Sequence, residues 1–190
     1  KQARADEQAR CEAEAVIEAA ELWGRASPAS PDHGYVAAKR LDHVLLRQLG
    51  DKLLIPMLDA SGRLWNLQRI AGDGSKRFLR GGRIEGLFAI VGSFTCRGET
   101  ACIGEGYATM SAVNRSSGFP CIVSFTRTNM AAVARLWRDA RPDLDFIICA
   151  DDDRALIDNP NIGKNLGFET GQAVAYEIGA RLAVPLREAA

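Results

Sequence analysis

The chain has 190 residues and a mass of 20.6 kDa, with 47% apolar and 25% charged residues, enough for one core or a core plus a smaller subdomain and incompatible with disorder. Lys and Arg together number 24, as do Asp and Glu, so the net charge is zero and the strongly basic signature of most nucleic-acid-binding domains is missing. The sequence holds no run of about 18 apolar residues, and its N-terminal stretch is rich in Ala, Glu and Arg without an apolar h-region, so neither a membrane span nor a secretory signal is expected and the protein reads as cytoplasmic.

Residues 5 to 24 are rich in Ala and Glu, with Val16, Ile17, Ala20 and Trp23 at helical spacing, which predicts an amphipathic helix. S-P-A-S-P-D at 27 to 32 breaks it, and Tyr35 to Leu49 reads as one or two short helices ending at Gly50. Residues 1 to 50 are therefore expected to form a helical lead-in. From Leu53 the pattern changes to L-L-I-P-M-L, the turn D-A-S-G (59–62), R-L-W-N-L-Q-R-I, the turn G-D-G-S (72–75) and K-R-F-L, an antiparallel β meander over 51 to 96. In its second strand Leu64, Asn66, Gln68 and Ile70 share one face, and Arg63, Trp65, Leu67 and Arg69 the other.

Beyond Gly98, apolar strands alternate with helices: strand 101–104, helix 107–116, strand 121–125, helix 129–140, strand 146–150, helix 164–179 and a closing strand 182–186. Continuous apolar strands separated by helices predict a parallel sheet covered on both faces, an α/β domain over 97 to 190. The five cysteines show no C-x-x-C spacing and three lie in apolar runs, so they read as buried free thiols, and two histidines far from any cysteine pair exclude a zinc finger. The chain begins at Lys1 without methionine, as expected of a piece of something longer.

Ligands of parallel α/β sheets gather at the carboxyl ends of the strands. Glu105 follows the first of these strands and Asp151, Asp152 and Asp153 follow the third. Asp151 and Asp153, two apart, can project to one side of an extended segment, with Asp152 pointing away as a solvated bystander. Glu105, Asp151 and Asp153 are oxygen donors without His or Cys, a set suited to Mg²⁺ or Mn²⁺. The alternative is structural, because an Asp at a strand end also turns the chain or caps the next helix.

The neutral total hides a polarised chain. Residues 61–83 hold Arg63, Arg69, Lys76, Arg77, Arg80 and Arg83 against Asp73, a net +5, whereas residues 139–158 hold seven Asp against Arg141 and Arg154, a net −5. A basic hairpin with Trp65 and Phe78 among its cations suits a phosphate backbone and stacked bases, and the acidic strand ends suit a divalent ion. The plain alternative is a solvated meander whose Arg stems cover apolar surface. G-x-x-x-x-G-K-[ST] and G-x-S-x-G are both missing, which excludes a P-loop and an acyl-transfer triad of that type.

I-G-E-G-Y-A-T (103–109), followed by F-I-I-C-A-D-D-D (146–153), resembles the TOPRIM domain of primases, type IA and II topoisomerases and related nucleases. With L-L-I-P-M-L-D-A-S-G-R-L-W-N-L-Q-R-I, G-S-K-R-F-L, N-P-N-I-G-K and R-L-A-V-P, the series resembles primase-type TOPRIM proteins of satellite phages, conjugative plasmids and integrative elements, over residues 35 to 186. The resemblance implies a Rossmann-like parallel sheet between helices, with Glu105, Asp151 and Asp153 as catalytic and metal-holding residues for Mg²⁺- or Mn²⁺-dependent RNA primer synthesis. It further implies single-stranded DNA template and ribonucleoside triphosphates as partners, contacted by Arg69, Lys76, Arg77, Arg80, Arg127 and Lys164, with helicase or relaxase functions supplied by a longer parent chain or by other proteins. Where the family pattern reads A-F-N-A-G-N this chain has S-F-T-R-T-N (124–129), which adds Arg127 and keeps only Asn129. A non-catalytic DNA-binding or assembly module of a replication or mobilisation protein, and a TOPRIM nuclease or topoisomerase, are the alternatives.

Overall fold

The computed structural model describes residues 2–42, 46–95, 97–160 and 163–185. It divides into two compact units, Lys1–Ala89 and Ile90–Ala190.

In the first unit α1 (Gln2–Arg25) precedes β1 (Ser27–Pro28), α2 (Gly34–Lys39), β2 (Arg47–Leu49), β3 (Lys52–Leu58), β4 (Leu64–Ala71) and β5 (Lys76–Phe78), and the five strands form one sheet in chain order. Each pairing is antiparallel. The α1 helix lays Ala15 and Ala19 on Leu54, Leu67 and Leu79, with Leu22 and Trp23 at the margin. Small residues at the contact let the helix axis come close to the sheet.

The expected helix running to Leu49 is a correction: only Gly34–Lys39 is helical there, and Arg47–Leu49 is a strand. Gly50 does take the positive φ (57°) that ends many helices, but here it turns a hairpin in which Leu49 pairs with Lys52. The pairing surface of β3 decides between two uses of the same left-handed glycine. Residues 43–45, which the same expectation covered, lie outside the described residues.

In the second unit β7 (Thr100–Gly104), α3 (Tyr107–Ser117), β8 (Cys121–Val123), α4 (Arg127–Ala140), β9 (Asp145–Cys149), α5 (Leu166–Ile178) and β10 (Arg181–Ala183) follow the expected alternation. The sheet order is β10-β9-β7-β8-β6, where β6 is Ala89–Val91, and the pairs β10·β9, β9·β7 and β7·β8 are parallel. Ile103, Ile122, Phe146 and Ile148 are wholly buried. Cys102, Cys121 and Cys149 lie on the three central strands, and all four described cysteines are free thiols. Hydrogen bonding to the Cys102 sulfur, together with burial, pushes the Cys121 and Cys149 thiols upward, as suits packing groups rather than nucleophiles.

Candidate active site

In the β7·β9 register Gly104 pairs with Cys149, so Glu105 and the segment Ala150–Asp153 leave the sheet together at its carboxyl edge. The end of β8 joins the same edge. Ser124 donates its backbone N–H to the Gly104 carbonyl at 2.8 Å, and the Phe125 N–H bonds the Glu105 carbonyl at 3.0 Å. Asn129, 3% exposed, closes this turn by donating its side-chain amide to the Ser124 carbonyl at 2.8 Å. Phe125 takes φ +67°, which a non-glycine residue adopts only under constraint, and this strained turn fixes the backbone of Glu105.

The aspartates have separate surroundings. Asp152, expected to be a solvated bystander, is instead held: its Oδ1 accepts from Arg154 Nε at 2.8 Å and from Asn165 Nδ2 at 2.8 Å, and its side chain is 19% exposed. Asp153 Oδ2 accepts from the Gly167 N–H at 3.0 Å, which makes it a cap of the first turn of α5. Arg127, in the first turn of α4, reaches Asp153 Oδ2 at 3.9 Å. Thus the structural role considered for a strand-end Asp applies to Asp153, and Arg127 stands where the sequence departs from the family pattern.

Sequence reasoning passed over Asn165 and Gly167. Asn165 Oδ1 accepts from the Asp153 N–H at 2.9 Å and the Phe168 N–H at 3.2 Å, so one side chain caps α5 and pins the aspartate loop. A Cβ on Gly167 would lie 2.5 Å from the Asp151 carbonyl oxygen, and one on Gly171 2.5 Å from Ala150 Cβ. The signal was present as an Asn preceding the first apolar residue of a helix, with glycines four apart behind it. Lys164 is exposed immediately before that cap.

The oxygen-only donors at this edge suit a hard cation, but among the described residues no three His, Cys, Asp or Glu side chains converge as a metal-holding group. One Asp153 oxygen is engaged by the Gly167 N–H at this edge.

The basic residues of the first unit are spread out. Arg69 pairs with Arg77, and both share the Leu67 face toward α1, whereas Lys76 pairs with Ile70 on the opposite face. Arg69 Nε is buried without a hydrogen-bond partner among the described residues, consistent with a stem that covers apolar surface. Trp65 donates Nε1–H to Asp59 Oδ2 at 2.7 Å, and its ring takes the guanidiniums of Arg63 and Arg83 at 4.4 and 5.0 Å. Arg80 is exposed beyond β5. Among the described residues no helix is long and apolar enough to cross a membrane.

No family model matches the chain. Two curated proteins, both DNA primase TraC of Escherichia coli, are 36% and 35% identical over 145 residues, 75% of this chain. The chain is homologous to a segment of DNA primase TraC. It spans 14% and 10% of the length of these two relatives. The fold is similar to the DnaG primase catalytic domain bound to single-stranded DNA, with a TM-score of 0.54 at 11% identity over 98% of this chain and 73% of that one. It is also similar to a chain of the bacteriophage T7 lagging-strand DNA polymerase assembly with the primase domains of two gp4 subunits, with a TM-score of 0.50 at 11% identity over 76% and 70% of the two chains. The α/β architecture expected from the resemblance is therefore that of primase catalytic domains.

Proposed function

We propose that the chain is the catalytic core of a primase-type nucleotidyltransferase of the TOPRIM kind, which makes RNA primers on single-stranded DNA with Mg²⁺ or Mn²⁺. The observation that carries this reading is the exit of Glu105 and Asp151 from adjacent parallel strands at one edge, in a chain homologous to a segment of DNA primase TraC. Glu105 and Asp151, with Asp153, would hold the ion. When bound, the ion would supply charge neutralisation as a ribonucleotide 3′-hydroxyl attacks the α-phosphate and pyrophosphate leaves. Arg127 and Lys164, at the same edge, bind and orient the triphosphate, and the exposed Lys76, Arg77 and Arg80 of the first unit take the template backbone. In this reading the chain works in the cytoplasm as part of a plasmid or phage replication or conjugative-transfer protein, with helicase or relaxase functions elsewhere in a longer parent chain or in partners.

Glu105→Gln keeps the shape and removes the charge. It is expected to abolish oligoribonucleotide synthesis on single-stranded DNA with either metal while leaving the melting temperature unchanged. Robust synthesis by this variant would sink the assignment.

A second reading, a non-catalytic DNA-binding module, is favoured by one observation, the capping of α5 by Asp153. Calorimetric titration with Mg²⁺ separates the two. Binding that is lost in Asp151→Asn supports the enzyme, and no binding by the unaltered chain supports the module.

A further inference from the structure

The second face of the first unit holds a pocket of about 460 Å³ between α2 and the β4–β5 turn, lined by Tyr35, Ala38, Lys39, Gly72, Asp73, Gly74 and Lys76. Backbone contact builds it: a Cβ on Gly34 would lie 2.7 Å from the Gly72 carbonyl oxygen, so the helix start and the turn touch without side chains between them. Gly74 holds φ +87° against the Tyr35 ring, a conformation that favours glycine.

Two ammonium groups, Lys39 and Lys76, border this space, and neither has an ion-pair partner among the described residues. Lys76 Nζ lies 5.8 Å from the centroid of the Tyr35 ring, a cation–π contact that restrains the lysine at the pocket. Tyr35 is 5% exposed, and its hydroxyl makes no hydrogen bond with another described residue and stays open to solvent. Asp73 is the single acid in the lining, and its Oδ1 is engaged by the Ser75 N–H at 2.8 Å. The lining thus offers two cations and a spare hydroxyl donor around a cavity larger than one phosphate.

We propose that this pocket between α2 and the β4–β5 turn is a binding site for a phosphate group, held by Lys39 and Lys76 with the Tyr35 hydroxyl as a third donor. Its identification with a template phosphodiester or a nucleotide phosphate rests on the primase reading, and the phosphate chemistry itself does not. Lys76 reaches the ligand from the sheet face opposite Arg69 and Arg77, so those two arginines lie outside the pocket.

The test measures binding of a fluorescent oligodeoxythymidylate and of ATP, without added metal, to the whole chain and to the double variant Lys39→Gln, Lys76→Gln, Tyr35→Phe and Asp73→Asn. If the pocket takes a strand phosphate, the double variant loses roughly tenfold in oligonucleotide affinity at low salt, and its log–log salt slope falls by about 0.7 per lysine. ATP affinity then stays constant. If it takes a nucleotide phosphate, ATP affinity falls and oligonucleotide affinity holds. Asp73→Asn retains the Oδ1 acceptor for Ser75 and removes the opposing charge, so it should tighten the same ligand by about threefold, a gain that misfolding cannot imitate. Wild-type binding of either ligand that none of the variants alters would overturn the pocket alone. Binding of neither ligand by the unaltered chain would overturn both the pocket and the primase reading.

Discussion

In the second unit Glu105, Asp151 and Asp153 leave two parallel strands at a single edge, whereas in the first unit Arg69, Arg77 and Lys76 leave two antiparallel strands on opposite faces of the sheet. Parallel strands share a direction, so residues far apart in sequence that follow them arrive together. A meander with a period of two does the reverse and separates residues that are neighbours in sequence. A charge run is therefore a poor guide to a surface when it lies on a strand, and dispersed acids are a good guide to a site when each follows a parallel strand.

The sharpest way to break that contrast is to attack what holds the meander together. Asn66 is wholly buried, accepts from the Leu67 and Leu79 N–H groups and donates to the Arg83 carbonyl at 2.9 Å. Asn66→Leu leaves these three backbone groups without partners and is expected to cost about 3 kcal/mol, read as a lower urea midpoint. A cost near zero would mean that the segment after β5 is held by something else.

A smaller effect separates the aspartates. Asp153→Ala removes a helix cap and should lower stability by about 1 kcal/mol, while Asp151→Asn, which keeps the size of the side chain, should lower it by less. Equal destabilisation by both would erase the division of labour described for this loop.

The smallest effect belongs to Asp59. Its carboxylate accepts from Ser61, Arg63 and Trp65, and the Ser61 hydroxyl bond first of all pulls its pKa from 3.8 down to about 2. Because the folded value is depressed, the stabilisation is complete above the unfolded value and fades as pH falls through 4 toward 2. Trp65 fluorescence should follow that loss, and Asp59→Asn should flatten it.

Much of the second unit was legible because its strands are continuous apolar runs bounded by Gly, Pro and Asp, which place Glu105 and Asp151 at strand ends without any tertiary knowledge. The first unit was harder. Arg47–Leu49 is too short to show a period, and Gly50 looks the same whether it ends a helix or turns a hairpin. Within the site, the alternation of extended backbone suggested that Asp152 would face solvent, but the loop after β9 is not extended: Asp153 has φ −84° and ψ 31°, and Asn165 thirteen residues after Asp152 captures its carboxylate. Such a contact is set by where α5 begins and by how closely its glycines let it approach.

The close seating of α5 has a consequence for how the edge breathes. Its buried residues are Gly167 and Gly171 in the first half and Val174, Ala175 and Ile178 in the second, so only the second half is anchored by appreciable side-chain burial. The first turn is held by the Asn165 and Asp153 hydrogen bonds, which weaken one by one, whereas the apolar end is released only when the core opens. Amide exchange along this helix should therefore be graded, fastest at Gly167 and Phe168 and slowest near Ile178. The aspartate loop would then be the hinge end of a helix whose far end stays bolted to the sheet.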